Sequence, residues 1–380
     1  MTACAQVSVL AFGAWLKNAA CWRHGGRAHW SPVHGDLSDP ETCEALKHSV
    51  DQLIAQARQA GAPVQVIAHD LHPDFFSTQL AAAVADALGV PAVGVQHHHA
   101  HVAAVIAEHG IEGPVVGLAL DGVGLGADGT PWGGELLWLD GPRWTRLGHL
   151  YPLALPGGDR AAREPWRMAA SVLHALGRAD EIDRRFTPLV GVAQAEGVRQ
   201  MLARNLNCPR TSSAGRWFDA AAAALGLGPR QQNEAEAAIA LEQAAACAPL
   251  AFGLPGVVID TANRLDPREL LGALFDAADT QRSAAGFHLA LADGLADWLI
   301  AAARERQTRI ACLSGGCFFN RILRERILAS LTKAGLQAYL PGAMGCGDAG
   351  LAIGQAWVAA QQPATAATEN TIKEESAICV

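Results

Sequence analysis

An alternation of strand-like and helix-like segments over residues 64–110 constrains the fold more than any other feature of the chain. The segment VQVIA predicts a short strand, and a loop (HDLHPDF) and an alanine-rich helix at about 77–88 follow it. A second strand, PAVGV, then leads into a helix that begins with four histidines in five residues. Strands separated by helices in this way pair in parallel inside layered domains. The chain is therefore predicted to be an α/β protein.

The remainder of the chain extends this pattern. VVGLALDGVGLGADGTPWGGELLWL predicts a β-hairpin with a wide turn rich in glycine and aspartate. Residues 161–248 are rich in alanine and charge with helical periodicity, which predicts a helical insert. A second α/β segment comprises the strand RIACLS, a Gly-Gly turn, a helix at about 320–334, the strand LQAYLP and a last helix.

A chain of 380 residues exceeds the size of about 250–300 residues at which single cores stop growing, so two lobes are expected. We place the first lobe at 1–113, including the histidine helix, and the second at 114–344, including the helical insert at about 161–248. Residues 345–360 are expected to form a closing loop and helix, and 361–380 a mobile tail.

Charge and composition exclude several classes of partner. A net charge of -8 with a pI near 5.9 argues against a nucleic-acid surface or a polybasic membrane patch. No window reaches ~18 uncharged apolar residues, and the start of the chain lacks a basic segment typical of a signal peptide. Nine cysteines without a CxxC pair are typical of reduced thiols. These features predict a cytoplasmic protein with no DNA or membrane partner.

The histidine helix offers a candidate metal site. Residues four apart lie on one face of a helix, so His97 and His101 can bind one ion, whereas His98 and His99 point about 100° and 200° away from His97. Asp121, which is expected to end a strand in LALDGVG, and Asp348 in GCGDAG are glycine-flanked carboxylates that can complete the ligand set. The alternative is that the histidines cap the helix or lie on its surface.

The glycine-rich loops indicate a nucleotide cleft between two lobes. Gly315 and Gly316 precede a helix whose N–H groups can face a phosphate, and Asn320 can bind a sugar. Gly133 and Gly134 are candidates for the same role. The alternative is that these glycines only form tight turns. The sequence contains no Walker motif.

Taken together, residues from about 10 to 355 resemble the C-terminal carbamoyltransferase domain of the HypF family of [NiFe]-hydrogenase maturation proteins. The resemblance is carried in order by LAFGAWLKN, SPVHGDL, AHDLHPDFFST, VQHHHAH, LALDGVGLGADGTPWGGELL, LPGGDRAAREPWRMA, SSAGRWFDA, LSGGCFFNRIL and GDAGLAIGQ. That domain is similar to the universal tRNA threonylcarbamoyl transferases (Kae1/TsaD) and to antibiotic O-carbamoyltransferases. The resemblance implies a two-lobed actin/Hsp70-like (ASKHA) fold with helical insertions.

The resemblance also implies a chemistry. One divalent transition metal, zinc or iron, would be bound by His97, His101, Asp121 and Asp348 beside ATP or carbamoyl-adenylate, which derives from carbamoyl phosphate. The carbamoyl group would pass to the C-terminal cysteine of a HypE-like acceptor, and its dehydration there would yield the cyanide ligands of the hydrogenase iron. Lys17 is a candidate for positioning the carbamoyl group or phosphate. The nucleotide-binding residues implied are Gly133, Gly134, Glu135, Asp219, Glu234, Gly315, Gly316 and Asn320.

The chain departs from the family pattern in several places. The acylphosphatase, zinc-finger and YrdC-like segments of full-length HypF have no counterpart, so adenylate is expected from a separate YrdC-like domain. NDGG is replaced by residues 347–350 (GDAG), YEGQA by 233–237 (NEAEA) and QNR by 319–321 (FNR). The alternatives are a small-molecule O-carbamoyltransferase, a paralogue that processes carbamoyl phosphate, and a non-catalytic nucleotide-binding scaffold of the maturation complex.

Overall fold

The computed structural model describes residues 7–249 and 253–362, and the chain separates into two compact units. Unit 1 comprises Met1–Val95 and Leu351–Val380, and unit 2 comprises Gln96–Gly350. The division falls at Val95 rather than at residue 113, because the histidine helix packs on strands of unit 2. Residues 345–350 belong to unit 2, whereas the last helix belongs to unit 1. The tail expected at 361–380 lies outside the described residues, apart from its first two positions.

Unit 1 is built on a five-stranded sheet with the order β3-β2-β1-β4-β5. Strands β4 and β5 pair in parallel, as the alternation of residues 64–110 predicts. Strand β1 pairs in parallel with β4, and β2 and β3 form an antiparallel hairpin. Strand β4 runs to Asp70, two residues into the predicted loop. The elements, labelled in chain order, are β1 (Val9–Ala11), β2 (Cys21–His24), β3 (Arg27–Trp30), β4 (Val66–Asp70), β5 (Ala92–Val95), α1 (Pro40–Gln59), α2 (Phe76–Leu88) and α13 (Leu351–Ala359).

The helices of unit 1 have clear sequence determinants. Asp39 caps α1 by accepting a hydrogen bond from the Glu41 N–H at 3.0 Å, and a proline at the first helical position favours the start. Leu46, Val50 and Leu53 follow at intervals of four and three residues and are buried. This spacing places one apolar face of α1 against the core that contains Leu10, Phe12 and Trp22 among others.

Unit 2 contains a seven-stranded mixed sheet with the order β11-β12-β8-β7-β6-β13-β14. Its centre is an antiparallel meander of β6, β7 and β8, and β13 pairs in parallel with β6 and β14. A short ladder of β9 and β10 lies outside this sheet. The strands are β6 (Val115–Leu125), β7 (Pro131–Asp140), β8 (Arg143–Leu150), β9 (Leu153–Ala154), β10 (Arg210–Thr211), β11 (Val258–Ile259), β12 (Arg264–Asp266), β13 (Ile310–Ser314) and β14 (Gln337–Tyr339).

Helices fill most of residues 161–248, where the sequence pattern predicts a helical insert. Their shared core includes the fully buried side chains of Trp166, Trp217 and Trp298. No helix within the described ranges combines the length and apolarity needed to cross a membrane. The helices of unit 2 are α3 (His97–His109), α4 (Arg160–Arg163), α5 (Pro165–Ala175), α6 (Glu181–Val190), α7 (Val192–Arg204), α8 (Ala214–Ala224), α9 (Glu236–Ala246), α10 (Arg268–Leu274), α11 (Thr280–Glu305) and α12 (Arg321–Lys333).

Candidate metal centre and its surroundings

Two histidines and two aspartates converge at the start of α3. The Nε2 atom of His97 lies 3.4 Å from Asp121 Oδ2 and 3.7 Å from Asp348 Oδ1. The Nε2 atom of His101 lies 3.8 Å and 3.5 Å from the same two oxygens. All four candidate ligand atoms lie within 4.8 Å of one another. The four residues that the sequence analysis groups together are therefore adjacent in unit 2.

The spacing of these atoms suits a common ion better than direct hydrogen bonds. Ligands about 2.1 Å from a tetrahedral metal are ~3.4 Å apart, whereas N–H···O bonds are about 2.9 Å. His101 Nε2 is buried and has no aligned hydrogen bond within the described residues. Two imidazoles and two carboxylates form a donor set typical of zinc or iron, and two negative charges balance a divalent cation. The residues present therefore fit the implied metal.

Burial and the attraction between opposite charges shift the pKa values of this cluster in opposite directions. Burial alone would raise the pKa of Asp121, but contacts with His101 and His97 outweigh it and hold the pKa well below its usual range. Burial likewise lowers the pKa of His101, and contacts with Asp121 and Asp348 reverse that shift and raise it. The Asp121 carboxylate thus stays ionised in a buried setting, as a metal ligand must.

A β-bulge directs Asp121 into the cluster. The register of β6 against β7 shifts between Leu120 and Gly124, so Asp121 lies at an irregularity inside the strand. The expectation that the strand ends at Asp121 is wrong, because β6 resumes beyond the bulge and continues to Leu125. Asp121 Oδ1 accepts a hydrogen bond from the Gly316 N–H at 3.1 Å. That bond turns Oδ2 towards the histidines.

Side chains of the histidine segment outside the ligand set orient the helix start. Gln96 caps α3 by accepting from the His99 N–H at 2.8 Å, and its Nε2 donates to His98 Nδ1 at 3.0 Å. The His99 ring stacks on Trp144 with 5.5 Å between centroids, and burial lowers its pKa to about 3. His98 and His99 therefore have structural partners of their own. Their separation from the ligand pair follows from helix geometry, as predicted.

The N–H groups of the glycine loops are engaged within the protein. Gly315 donates to the Cys346 carbonyl at 2.9 Å and Gly316 to Asp121. Gly133 and Gly134 both donate to Glu135 Oε1, at 3.0 and 3.1 Å. A Cβ at Gly315 would lie 2.3 Å from the Leu120 carbonyl oxygen, so close approach of two backbones requires glycine there. A phosphate role for these four glycines stays a prediction.

Glu135 and Asn320, two further predicted nucleotide-binding residues, make several internal contacts. Glu135 is fully buried, pairs with Arg146 Nε at 2.6 Å and accepts from the Ser212 hydroxyl at 2.5 Å. Asn320 caps α12 by accepting from the Leu323 N–H at 2.9 Å. Its amide nitrogen donates to His288 Nε2 at 2.9 Å. Both side chains fix the loops on which they lie, and their contacts with a nucleotide stay predictions.

A second polar group lies beside Cys317, the residue after Gly316. Asp219 is buried, Arg216 Nε lies 2.7 Å from its Oδ2, and burial raises the pKa of Asp219 to about 6. The charges of Asp121, Arg216, Asp219 and Glu234 all act on Cys317, where burial dominates and raises the pKa of the thiol. This group adjoins Asp121, one of the candidate metal ligands. Arg216 is not among the residues predicted from the sequence, although an Arg and an Asp three residues apart in SSAGRWFDA indicate a pair on one helix face.

The altered segment 233–237 lies at the start of α9. Ala235 is the residue before the helix and has φ of 60°, in the left-handed region that favours glycine. Glu236 is exposed, and its carboxylate accepts from the N–H groups of Gln232 and Asn233 at 2.9 and 3.3 Å. The replacement of glycine by alanine in this motif therefore leaves a strained residue next to Glu234.

Lys17 belongs to unit 1, in the loop after β1. The Asn18 amide nitrogen donates to the carbonyls of Phe12 and Ala14, both at 2.8 Å, and fixes the loop. Lys17 itself has φ of 49°, again in the left-handed region. An ordered loop therefore presents Lys17, and its catalytic role stays a prediction.

Residues 117–355 match the family model described as the second subdomain of the carbamoyltransferase Kae1-like domain, and residues 5–108 match the model of the HypF Kae1-like domain. A Cupriavidus necator relative named carbamoyltransferase HypF homolog is 57% identical and is covered over 96% of its length by 98% of this chain. The carbamoyltransferase HypF of Rhizobium leguminosarum bv. viciae is 41% identical, with 92% of this chain covering 44% of that protein.

Two solved structures have the same fold. HypF of T. kodakarensis superposes with a TM-score of 0.84 at 30% identity, over 93% of this chain and 47% of that one. A full-length HypF in the phosphate- and nucleotide-bound form gives a TM-score of 0.82 at 29% identity, over 94% and 46%. The chain thus spans nearly all of the C. necator homologue and about half the length of the other proteins compared.

Proposed function

Because the chain belongs to the HypF family of carbamoyltransferases, we propose that it performs carbamoyl transfer during [NiFe]-hydrogenase maturation. The single observation that carries the proposal is the convergence of His97, His101, Asp121 and Asp348 at one buried point. The bound nucleotide and phosphate in a solved HypF structure support an adenine nucleotide as the partner of this site. The setting would be the cytoplasm.

The proposed substrate is carbamoyl-adenylate, made from carbamoyl phosphate and ATP by a separate YrdC-like domain. The acceptor is the C-terminal cysteine thiolate of a HypE-like protein. The sulfur adds its electron pair to the carbamoyl carbon, the bond from that carbon to the phosphate oxygen breaks, and AMP leaves with the pair. A zinc or iron ion held by the two histidines and two aspartates would supply positive charge against the phosphate.

The residues of this chain position the substrate in the proposal. Asp219 and Glu234, whose charges both act on Cys317, would accept the ribose hydroxyls, because a carboxylate near a hydroxyl offers a strong acceptor. The Gly316 N–H keeps Asp121 oriented during turnover. Burial of the histidine pair excludes water, which would otherwise hydrolyse the activated carbamoyl group.

Elemental analysis tests the metal part of the proposal. The unaltered protein should contain about one equivalent of zinc or iron, and a His97→Ala/His101→Ala double variant should contain none. His48, which is exposed on α1, provides the matched control in His48→Ala. Equal metal content in the double variant and the control would contradict the site.

Mass spectrometry of a HypE-like acceptor tests the transfer. With carbamoyl phosphate and ATP, the chain alone should leave the acceptor unmodified, and addition of a YrdC-like domain should add one carbamoyl group. Modification by the chain alone would favour direct processing of carbamoyl phosphate. If the acceptor stays unmodified with folded, metal-loaded protein and the added domain, the non-catalytic scaffold is favoured. Carbamoylation of an added small hydroxyl compound would instead favour an O-carbamoyltransferase.

A further inference from the structure

The ligand Asp348 lies on a loop with little regular structure of its own. Residues 340–350, the Asp348 loop, connect the end of β14 at Tyr339 to the start of α13 at Leu351. Its regular backbone is confined to a one-turn 3-10 helix, Asp348–Gly350. Such a segment has few internal hydrogen bonds to order it. The position of Asp348 therefore depends on contacts from elsewhere in unit 2.

The C-terminal end of α3 provides the contacts to the first half of this loop. Glu108 Oε2 accepts from the Gly342 N–H at 2.7 Å and lies 3.5 Å from the Ala343 nitrogen. His109 Nε2 lies 2.8 Å from the Leu340 carbonyl oxygen. Three polar contacts thus join the last turn of α3 to the loop.

Glu108 is at an unfavourable place for a carboxylate. The C-terminal end of a helix carries partial negative charge, so an acidic residue in the last turn is disfavoured. Its Oε1 is also buried without a hydrogen-bond partner among the described residues. The position at the helix end and the burial of Oε1 both make a glutamate unfavourable here. The compensating hydrogen bonds of Glu108 are those to the Asp348 loop. Violations of local rules of this kind concentrate at functional positions.

We propose that Glu108 is a positioning residue that sets the metal affinity of the site through the Asp348 loop. Helix α3 carries His97 and His101 in its first turns and Glu108 in its last, about 10 Å beyond His101. One rigid helix therefore fixes both the histidine pair and the loop that carries Asp348. The inference rests on the metal site of the proposed function and is independent of carbamoyl transfer.

The test is the affinity for Zn²⁺, measured by competition with a chromophoric chelator on the full chain. Glu108→Ala should weaken binding about tenfold, the lower end of the effect of removing supports behind metal ligands. Glu108→Gln keeps an acceptor for the Gly342 N–H and should stay within about threefold of the unaltered chain. Glu112→Ala, at an exposed residue just beyond α3, is the matched control.

Thermal unfolding of the metal-free proteins distinguishes positioning from general stability. A merely structural role would lower the metal-free melting temperature of Glu108→Ala and leave the zinc affinity unchanged, and that result would overturn the proposal. If Glu108→Ala does not fold, His109→Ala removes the adjacent contact at an exposed residue and should weaken zinc binding in the same direction. In another outcome, the unaltered chain binds zinc and His97→Ala/His101→Ala does not, while Glu108→Ala and His109→Ala leave the affinity unchanged. That result would overturn only the role of Glu108. Absence of zinc binding by the unaltered chain would overturn the site itself.

Discussion

Substitution of Gly124 by alanine should abolish tight metal binding by displacing one ligand ring. A Cβ at Gly124 would lie 2.6 Å from both Cδ2 and Cγ of His97 and 2.8 Å from Cε1 of His98. Carbon atoms pack at about 3.5 Å or more, so one ring must move by about 0.9 Å. Gly124 is outside the left-handed region, and the effect is therefore steric rather than conformational.

The size of the effect follows from the tolerance of metal ligands. Functional metal–ligand distances vary by about 0.2 Å, so a shift of about 0.9 Å removes His97 from the coordination shell. We expect zinc affinity to fall at least about a hundredfold in Gly124→Ala. Overpacking of this kind should also lower the free energy of unfolding by about 1–3 kcal/mol.

Gly122 provides the matched control two residues away. A Cβ there meets no atom within 4 Å, and Gly122 is also outside the left-handed region. Zinc competition titrations and thermal unfolding with and without a chelator should separate the two variants. Gly122→Ala should bind zinc as the unaltered chain does and melt higher with metal, whereas the melting of Gly124→Ala should not respond to metal. Equal zinc affinities of the two variants would refute the steric argument.

Three further predictions concern the residues of unit 2 that are proposed to lie near a nucleotide. Burial raises the pKa of Asp219 from 3.8 to about 6. Between these values the folded chain keeps a proton that the unfolded chain releases, so the free energy of unfolding should fall as pH rises from about 4 to 6. Asp219→Asn should flatten this fall in urea unfolding, and an unchanged pH profile would contradict it. Ala235→Gly should raise the free energy of unfolding by about 0.5–1 kcal/mol and so raise the urea midpoint, because it relieves a left-handed alanine. An equal midpoint would argue against strain. Glu236→Gln should tighten ATP binding in calorimetry by removing a negative charge beside Glu234, and unchanged affinity would exclude a charge penalty.

The sequence predicted those parts of the molecule that depend on local periodicity. Helix α3 and the strands around it follow from the alternation of apolar segments, and His97 and His101 follow from their spacing of four residues. Asp121 and Asp348 were found because both are carboxylates flanked by glycine. The family resemblance added the pairing of these four residues, which local pattern alone left open.

Other features of the site could not be predicted from the local sequence. The bulge that aims Asp121 depends on its pairing with β7, and the bond from Gly342 to Glu108 joins residues 234 positions apart. The N–H groups of Gly133 and Gly134 are directed at Glu135, and a run of glycines does not reveal whether such groups face a ligand or a neighbouring side chain. These contacts depend on tertiary packing, and no single segment encodes them.

The four candidate ligands are spread over a long stretch of the chain, which determines when during biosynthesis a metal ion can be bound. His97, His101 and Asp121 leave the ribosome early, but Asp348 follows more than two hundred residues later. Strand β6, which carries Asp121, also cannot complete its pairing until β13 has been synthesised, since Val116 pairs with Ala311. Contacts of such long range form late in folding. A nascent or partly folded chain therefore lacks the complete ligand set of the proposed ion, and metal stoichiometry should serve as a measure of the fraction of molecules that have completed folding.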